Sequence, residues 1–482
     1  MDRFDLLVIG GGINGAAIAR DAAGRGLHVL LVEKDDLASH TSSASSKLVH
    51  GGLRYLERRE FRLVRESLAE REVLLATAAH IVRPLRFVLP DPPGGRPRWL
   101  VRAGLALYDL LAGRGSLPRS RKLAADAPEA APLRADRGYS LFEYHDAWVD
   151  DARLVVLNAL DAAERGATIA TRCELLSARR DADGWTAALS DGRQVHAKAV
   201  VNAAGPFVAQ VLARLGLTSS SGVRLVKGSH IVVPALYQGG HGYILQQPDG
   251  RVVFALPFGA HTLIATTDVP VAQPQAGAPT PQEVAYLCDA ANLFFRAQVT
   301  ADDVLWSFAG VRALHDDGSA SAKDVTRDYH LELDTLGAPA LSVFGGKITT
   351  ARALASEVLD RLKIGGLKFT RTTPLPGGDI DHAFNLFLMK LADGFPAALL
   401  MRLATAYGTR LPQLLGDASR ADQLGRNFGG GLYEAEVRYL QAHEFASTPE
   451  DILWRRTKLG LEMSAEEVAG LERYMYRQEG HS

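Results

Sequence analysis

The sequence predicts an α/β protein in three parts: a Rossmann-type nucleotide-binding domain, a β-rich domain seated over it, and a C-terminal helical domain. Three observations predict this. The apolar run Leu6-Leu7-Val8-Ile9 breaks into Gly10-Gly11-Gly12-Ile13-Asn14-Gly15 and then into a helical pattern. The middle of the chain holds short alternating segments punctuated by Asp183-Gly184 and Asp191-Gly192, and beyond Pro374-Leu375-Pro376-Gly377-Gly378 the apolar spacing is helical. At 482 residues the chain exceeds what one hydrophobic core supports, so a division into domains is expected.

The first element is a strand buried on both faces, which is what an unbroken apolar run implies in a parallel sheet. It ends in G-x-G-x-x-G at Gly10, Gly12 and Gly15. Gly10 permits the tight turn, Gly12 lets backbone amides approach a pyrophosphate, and Gly15 lets the following helix pack on the strand. The helix, with Ala16, Ile18, Ala19 and Ala22, closes at Gly24-Arg25-Gly26, and its N-terminus offers unpaired N–H groups to phosphate. Val29-Leu30-Leu31-Val32 is the second strand and ends at Glu33, 18 positions after Gly15. An acid there accepts from ribose hydroxyls and repels a 2′-phosphate, which argues against NADP.

Three later segments favour FAD over NAD, because a large cofactor lies across a discontinuous domain. Thr41-Ser42-Ser43-Ala44-Ser45-Ser46 has small side chains for close backbone approach and hydroxyls for phosphate and ribitol oxygens, and it runs into Lys47-Leu48-Val49-His50-Gly51-Gly52 without linker composition. Ala199 to Pro206 is a strand returning to small residues and a turn. Leu341 to Thr350 reads as strand, glycine turn and helix, whose N-terminus suits the flavin edge where negative charge collects on reduction. The expected cofactor contacts are Gly10, Gly12, Ile13, Asn14, Gly15, Glu33, Lys34, Thr41, Ser42, Ser45, Ser46, Lys47, His50, Gly51, Gly52, Ala203, Gly205, Gly310, Gly345, Gly346, Lys347, Ile348 and Thr349.

Among the remaining elements, Phe61–Ala79 has helical spacing, and Asp150-Asp151 caps a helix running to Ala163. Residues 167–196 read as β-hairpins, and Ser229–Val233 and Arg251–Phe254 as strands of a substrate sheet. Residues 270–281 form a connecting loop; helices follow at 383–392 and 397–406. The expected domains are 1–80 with 145–222 and 305–372 for the cofactor, 81–144 with 223–304 for the substrate, and 378–482 at the C-terminus.

Bulk properties exclude several classes. A net charge of −1 excludes a general nucleic-acid binder. Cys173 and Cys288 are the only cysteines and lie far apart, so neither a disulfide framework nor a cysteine metal site is expected, and no metal is. The opening residues read as strand rather than as a secretory leader, and no apolar run approaches the ~18–20 residues of a membrane-spanning helix. A cytoplasmic setting is expected. Residues 96–122 carry seven basic residues and one acid around Trp99-Leu100-Val101 and Leu105–Leu111, a formal excess of six positive charges. This stretch is either a helix lying in the lipid headgroup layer or a buried helix with a basic rim.

The ordered motifs resemble those of the aerobic, FAD-dependent sn-glycerol-3-phosphate dehydrogenase family over nearly the whole chain. The segment Thr41 to Leu56 is its most distinctive signature; Lys227-Gly228-Ser229-His230, Thr266-Thr267-Asp268, Gly310-Val311-Arg312, Thr326-Arg327-Asp328-Tyr329, Phe344-Gly345-Gly346-Lys347 and Leu453-Trp454-Arg455-Arg456-Thr457-Lys458 are similar as well. The resemblance implies oxidation of glycerol 3-phosphate to dihydroxyacetone phosphate, with electrons passed from FAD to a membrane quinone. It implies that Arg54, Arg327 and Lys347 hold the phosphate or the flavin edge, that His230 and Arg312 sit by the reacting carbon, and that Tyr55 lines the pocket. It departs at Ala313, Ala204 and Ala351, where proline, threonine and an aromatic residue are expected.

From the chemistry, a phosphate dianion suits the arginine fork. Of the candidate catalytic groups His230, Arg312, Arg54 and Lys347, His230 is the preferred base, because imidazole titrates near neutrality whereas arginine stays protonated; His50 is the next candidate. Expected partners are glycerol 3-phosphate, a membrane quinone at the inner face of the cell membrane, and a second copy of the chain in a homodimer. An oxidase reducing oxygen to peroxide, a non-catalytic FAD-binding subunit and an amine or amino-acid oxidase remain open.

Overall fold

The computed structural model describes residues 1–92, 97–316 and 328–479. Its first sheet has eight strands, six of them in the order His330–Asp334, Ala340–Phe344, Gln194–Asn202, Asp2–Ile9, Val29–Val32 and Thr168–Ala170, with the hairpin Leu175–Arg180/Trp185–Leu189 added beside Gln194–Asn202. Asp2–Ile9 lies between two parallel partners, Val29–Val32 and Gln194–Asn202, and its residues Leu6, Leu7 and Val8 are fully buried. Helices Ile13–Gly24, Asp151–Glu164 and Ala351–Arg361 pack on one face, and the alanine-rich first helix lets the other two approach closely. Asp150 caps its helix by accepting from the amide of Arg153 at 3.2 Å.

The second sheet has ten strands, with Val223–Pro234, His261–Ala265, Val252–Phe258, Gly242–Gln246, Val82–Asp91 and Ser140–Val149 forming its main run. Two strands correct the expected division. Trp306–His315, assigned with the cofactor domain, pairs antiparallel with Val223–Pro234 over ten residues, and Leu48–Val49 pairs with Ser140–Val149. Both follow the rule that a strand joins the edge where its full register of N–H and C=O groups is satisfied. The expected run of hairpins also changes at its start. Thr168–Ala170 pairs parallel with Val29–Val32, because it follows the crossover helix Asp151–Glu164 and a crossover returns the chain parallel.

The C-terminal part packs around its own core, including Leu403, Tyr407, Leu411, Leu432, Val437 and Leu440. Helices His382–Leu391 and Ala397–Tyr407 match the apolar spacing, but this part is not wholly helical. Asn427–Gly429 and Leu432–Tyr433 form a small hairpin turning at Gly430 and Gly431, both at positive φ.

Candidate functional site

A cleft opens at the carboxyl end of the first sheet, where a doubly wound fold places its ligands. It is lined by Gly10, Gly12, Ile13 and Asn14, by Glu33 and Lys34, by Ala38 to Ser42, by Cys173 to Leu175, by Ala203 to Phe207 with Gln210, Val211 and Arg214, and by Ala313 and Gly345. Gly10 has φ +111°, and a Cβ there would stand 2.7 Å from the carbonyl of Ala203. A Cβ at Gly15 would stand 1.9 Å from the carbonyl of Gly10, so the helix can sit this low only on glycine. No side chain caps that helix at Gly12; the Ser42 hydroxyl accepts from the Ile13 amide at 3.0 Å, and the buried Oδ1 of Asn14 has no partner. The helix N-terminus lies on the cleft, where its N–H groups suit a pyrophosphate, and the orphaned Asn14 oxygen can accept only from a hydroxyl or N–H of a ligand. Glu33 accepts from the amides of Gly11 (2.6 Å) and Asp35 (2.9 Å). Burial raises its pKa and these amides oppose the rise.

Glu33, Asp35 and His40 also bring potential metal-ligand atoms within 4.8 Å of one another. His40 and Asp35 already form a 2.8 Å hydrogen bond, and Glu33 is engaged by backbone, so the group serves to shape the loop.

The expected cofactor contacts separate into two sets. Gly10, Gly12, Ile13, Asn14, Glu33, Lys34, Thr41, Ser42, Ala203, Gly205 and Gly345 line the cleft. Ser45 and Lys47 turn inward instead: buried Asp151 accepts from the Ser45 amide (3.1 Å) and hydroxyl (2.7 Å) and from the Lys47 ammonium (2.8 and 3.0 Å). Lys47 is 0 % exposed, and burial lowers its pKa against the pull of Asp151. Gly310 is a close approach between the second sheet and the 41–46 loop, since a Cβ there would meet Ala44 at 2.9 Å. The Thr41 hydroxyl donates to the Val311 carbonyl at 2.5 Å beside it.

The candidate catalytic residues form two groups joined by the 41–50 segment. In the first, His230 and Arg312 share one face of the second sheet, with the guanidinium of Arg312 packed over Gly228: a Cβ at Gly228 would come within 2.5 Å of it. Asp268 pairs with Arg312, and the Thr266 hydroxyl accepts from it at 3.0 Å. His230 is buried, stacks on Phe308 at 4.7 Å, and places Nε2 3.3 Å from the hydroxyl of Ser46. Burial, with Arg312 and Lys47 adding repulsion, holds its pKa well below the ordinary imidazole value. Behind Phe308 stand Trp306 (4.5 Å) and then Trp454 of the C-terminal part (4.6 Å), a continuous ring column.

In the second group, the Lys347 ammonium donates to Ser67 at 2.6 Å and lies 5.0 Å from the Tyr55 ring centroid. Burial lowers its pKa to about 8, although Asp328, Glu66 and Glu60 favour the charged form. The His50 amide donates to Thr349 at 3.4 Å, and its imidazole pKa falls to about 4 through burial and the nearby Lys347. Gly51 donates from its amide to the Tyr108 hydroxyl at 2.8 Å, and Gly52 at φ +77° starts the turn Leu53–Arg58 that carries Arg54 and Tyr55. Gly346 (φ +96°) faces Asn14 across the Gly345 turn, and Ile348 opens the short helix Ile348–Thr350. Arg327 lies outside the described residues.

Several residues escaped the sequence. Arg214, Gln210 and Phe207 sit on the cleft, and Ser67 meets Lys347, without any local pattern that marks them. Asp268 and Thr266 were visible as a motif, but only the fold shows that they orient Arg312.

Residues 5–352 match the family described as FAD dependent oxidoreductase, and residues 368–475 match the C-terminal domain of alpha-glycerophosphate oxidase. The chain is 51% identical to D-erythritol 1-phosphate dehydrogenase of Brucella abortus, covering 96% of each chain. It is 50% identical to a glycerol-3-phosphate dehydrogenase of Pseudomonas aeruginosa, covering 99% of this chain and 96% of the other. Among solved structures, the glycerol-3-phosphate dehydrogenase of Bacillus halodurans, complexed with FAD, superposes with a TM-score of 0.78 at 28% identity, covering 100% of this chain and 91% of that one.

Proposed function

The chain belongs to the family of FAD-dependent glycerol-3-phosphate dehydrogenases, and from that premise we propose that it oxidises sn-glycerol 3-phosphate to dihydroxyacetone phosphate. The observation that carries this reading is the pairing of a neutral, buried His230 with a fixed Arg312 on one sheet face. FAD, when bound, supplies at N5 the acceptor for the hydride leaving C2. Gly10, Gly12, Asn14, Glu33, Thr41 and Ser42 would hold its nucleotide half.

His230 takes the hydroxyl proton at Nε2, the atom now beside Ser46. Its low pKa keeps it in the accepting form at neutral pH, and a substrate phosphate dianion offsets the repulsion that Arg312 and Lys47 exert on the imidazolium. Arg312 cannot give up its proton, so it stabilises the developing alkoxide, with Asp268 and Thr266 keeping its fork aimed. Lys347 with Tyr55, together with Arg54 and Arg327, grips the phosphate or the flavin edge. Phe308 and Trp306 exclude water behind the histidine.

Electrons then pass to a membrane quinone, which gives the helix Arg98–Ala112 a purpose. Trp99 and Leu110 are 70% and 75% exposed, with Arg98, Arg102 and Arg114 exposed among them. Such a surface suits an anionic bilayer, and no helix among the described residues is long and apolar enough to cross one.

Anaerobic addition of glycerol 3-phosphate is expected to bleach the oxidised flavin band, and no bleaching by any polyol phosphate would overturn the reading. The relative from Brucella favours a second substrate, D-erythritol 1-phosphate, and comparing kcat/KM for the two separates three carbons from four. Peroxide formed in place of reduced quinone would identify an oxidase.

A further inference from the structure

We propose that the C-terminal segment 454–458 and its neighbour Asp451 are positioning residues for FAD: they hold the cleft loops in the binding conformation. Residues 33–47 contain neither helix nor strand, yet Glu33, Lys34 and Ala38 to Ser42 line the cleft. A loop without a backbone ladder gets its order from side-chain contacts, and any disorder left in it counts against the ligand that must order it.

The C-terminal part meets this region at three anchors. Asp36, 2% exposed and three residues past Glu33, accepts a two-pronged contact from Arg456 (2.7 and 2.8 Å) and a third from Arg455 (2.6 Å). Asp451 accepts from Arg172 at 2.8 and 2.9 Å; Arg172 has φ +54°, donates its amide to the Asp35 carbonyl at 2.8 Å, and directly precedes Cys173 to Leu175 on the opposite wall of the cleft. Lys458 donates to Asp150 at 2.5 Å, next to the Asp151 carboxylate that holds Ser45 and Lys47. Arg455 bridges the first two anchors by also reaching Asp451 at 2.6 Å. Each anchor therefore lands within a few residues of a cleft wall or of the loop that closes it. Elsewhere the contacts between the two parts include Arg153 with Glu444, Arg410 with Glu164 and the Trp306–Trp454 stack, none of which involves a residue of either wall.

The test is FAD release from the full-length holoenzyme after dilution, followed by the rise in flavin fluorescence well below the unfolding temperature. Arg456→Lys keeps the charge but removes the fork, and release is expected to be about tenfold faster. Arg402→Lys is the control: Arg402 pairs with Glu436 inside the C-terminal core at 2.7 Å and reaches none of the anchors, so it is expected to release FAD like the unaltered protein. The proposal is overturned if Arg456→Lys stays within about twofold of the unaltered rate, or if Arg402→Lys accelerates release equally, which would make the effect one of general stability. Should Arg456→Lys yield no folded holoenzyme, Lys458→Met is read the same way at the third anchor, and an unchanged rate there overturns it.

Discussion

His230 is buried against Phe308 and repelled by two cations, which hold its imidazole pKa well below the ordinary value. His230→Gln is expected to lower kcat by ~10²–10⁴ across pH 6 to 9 while flavin content is kept; unchanged turnover would move the base to another group, with His50 next. Lys347 titrates in a different range. Its pKa of about 8 means that an ammonium serving the substrate is lost as pH rises through that value. The alkaline fall in kcat/KM is therefore expected near pH 8 and is expected to vanish in Lys347→Met. Unfolding does not imitate this limb. A lysine whose folded pKa lies below its unfolded value destabilises the fold below about pH 8, and that penalty is relieved, not imposed, as pH climbs. At Gly228 any side chain would strike Arg312, so the sequence motif Lys227-Gly228-Ser229-His230 has a steric cause that only the sheet register reveals.

At the scale of elements, the helix Arg98–Ala112 shows how far periodicity carries. Its basic and apolar composition was legible, but two readings survived, and solvent exposure bears on one of them. Only Leu105 and Tyr108 are buried, so it is not a core helix with a basic rim. If the proposed membrane contact lies here, Trp99→Glu with Leu110→Glu is expected to abolish sedimentation with anionic vesicles at low salt, leaving flavin content intact; retained sedimentation would remove this helix as the contact. The helix is also tied to the site. Tyr108 donates to Asp146 at 2.8 Å and accepts from Gly51, whose neighbour Gly52 opens the turn bearing Tyr55. The nucleotide strand-turn-helix was readable because its glycines answer a local steric demand at Gly10 and Gly15. The direction of the Ser45 and Lys47 side chains was not readable for the opposite reason: it is set by Asp151, more than a hundred residues away.

In the whole molecule, the three-part plan was legible from composition, whereas the seams were not. Trp306–His315 resembles a return to the cofactor domain until its ten-residue register with Val223–Pro234 is seen. The joint with the C-terminal part includes buried charge, and single-residue patterns do not announce pairs such as Arg153–Glu444. Removing one member of a buried pair leaves the other charged and dry, which costs about 3–5 kcal/mol. Arg153→Met is thus expected to lower the thermal midpoint by several degrees, and Arg153→Met with Glu444→Leu to recover much of it, as read by calorimetry. An equal loss in the double variant would show that packing, not charge, is at stake.

The central strand Asp2–Ile9 has one parallel neighbour close behind it and another, Gln194–Asn202, whose own partner Ala340–Phe344 comes later still. Ribosomes add roughly 5–20 residues per second, so tens of seconds separate translation of the phosphate turn from that of Gly345, which completes the cleft. A nascent chain spends that interval with an unfinished sheet edge, and coenzyme can be captured only near the end of synthesis.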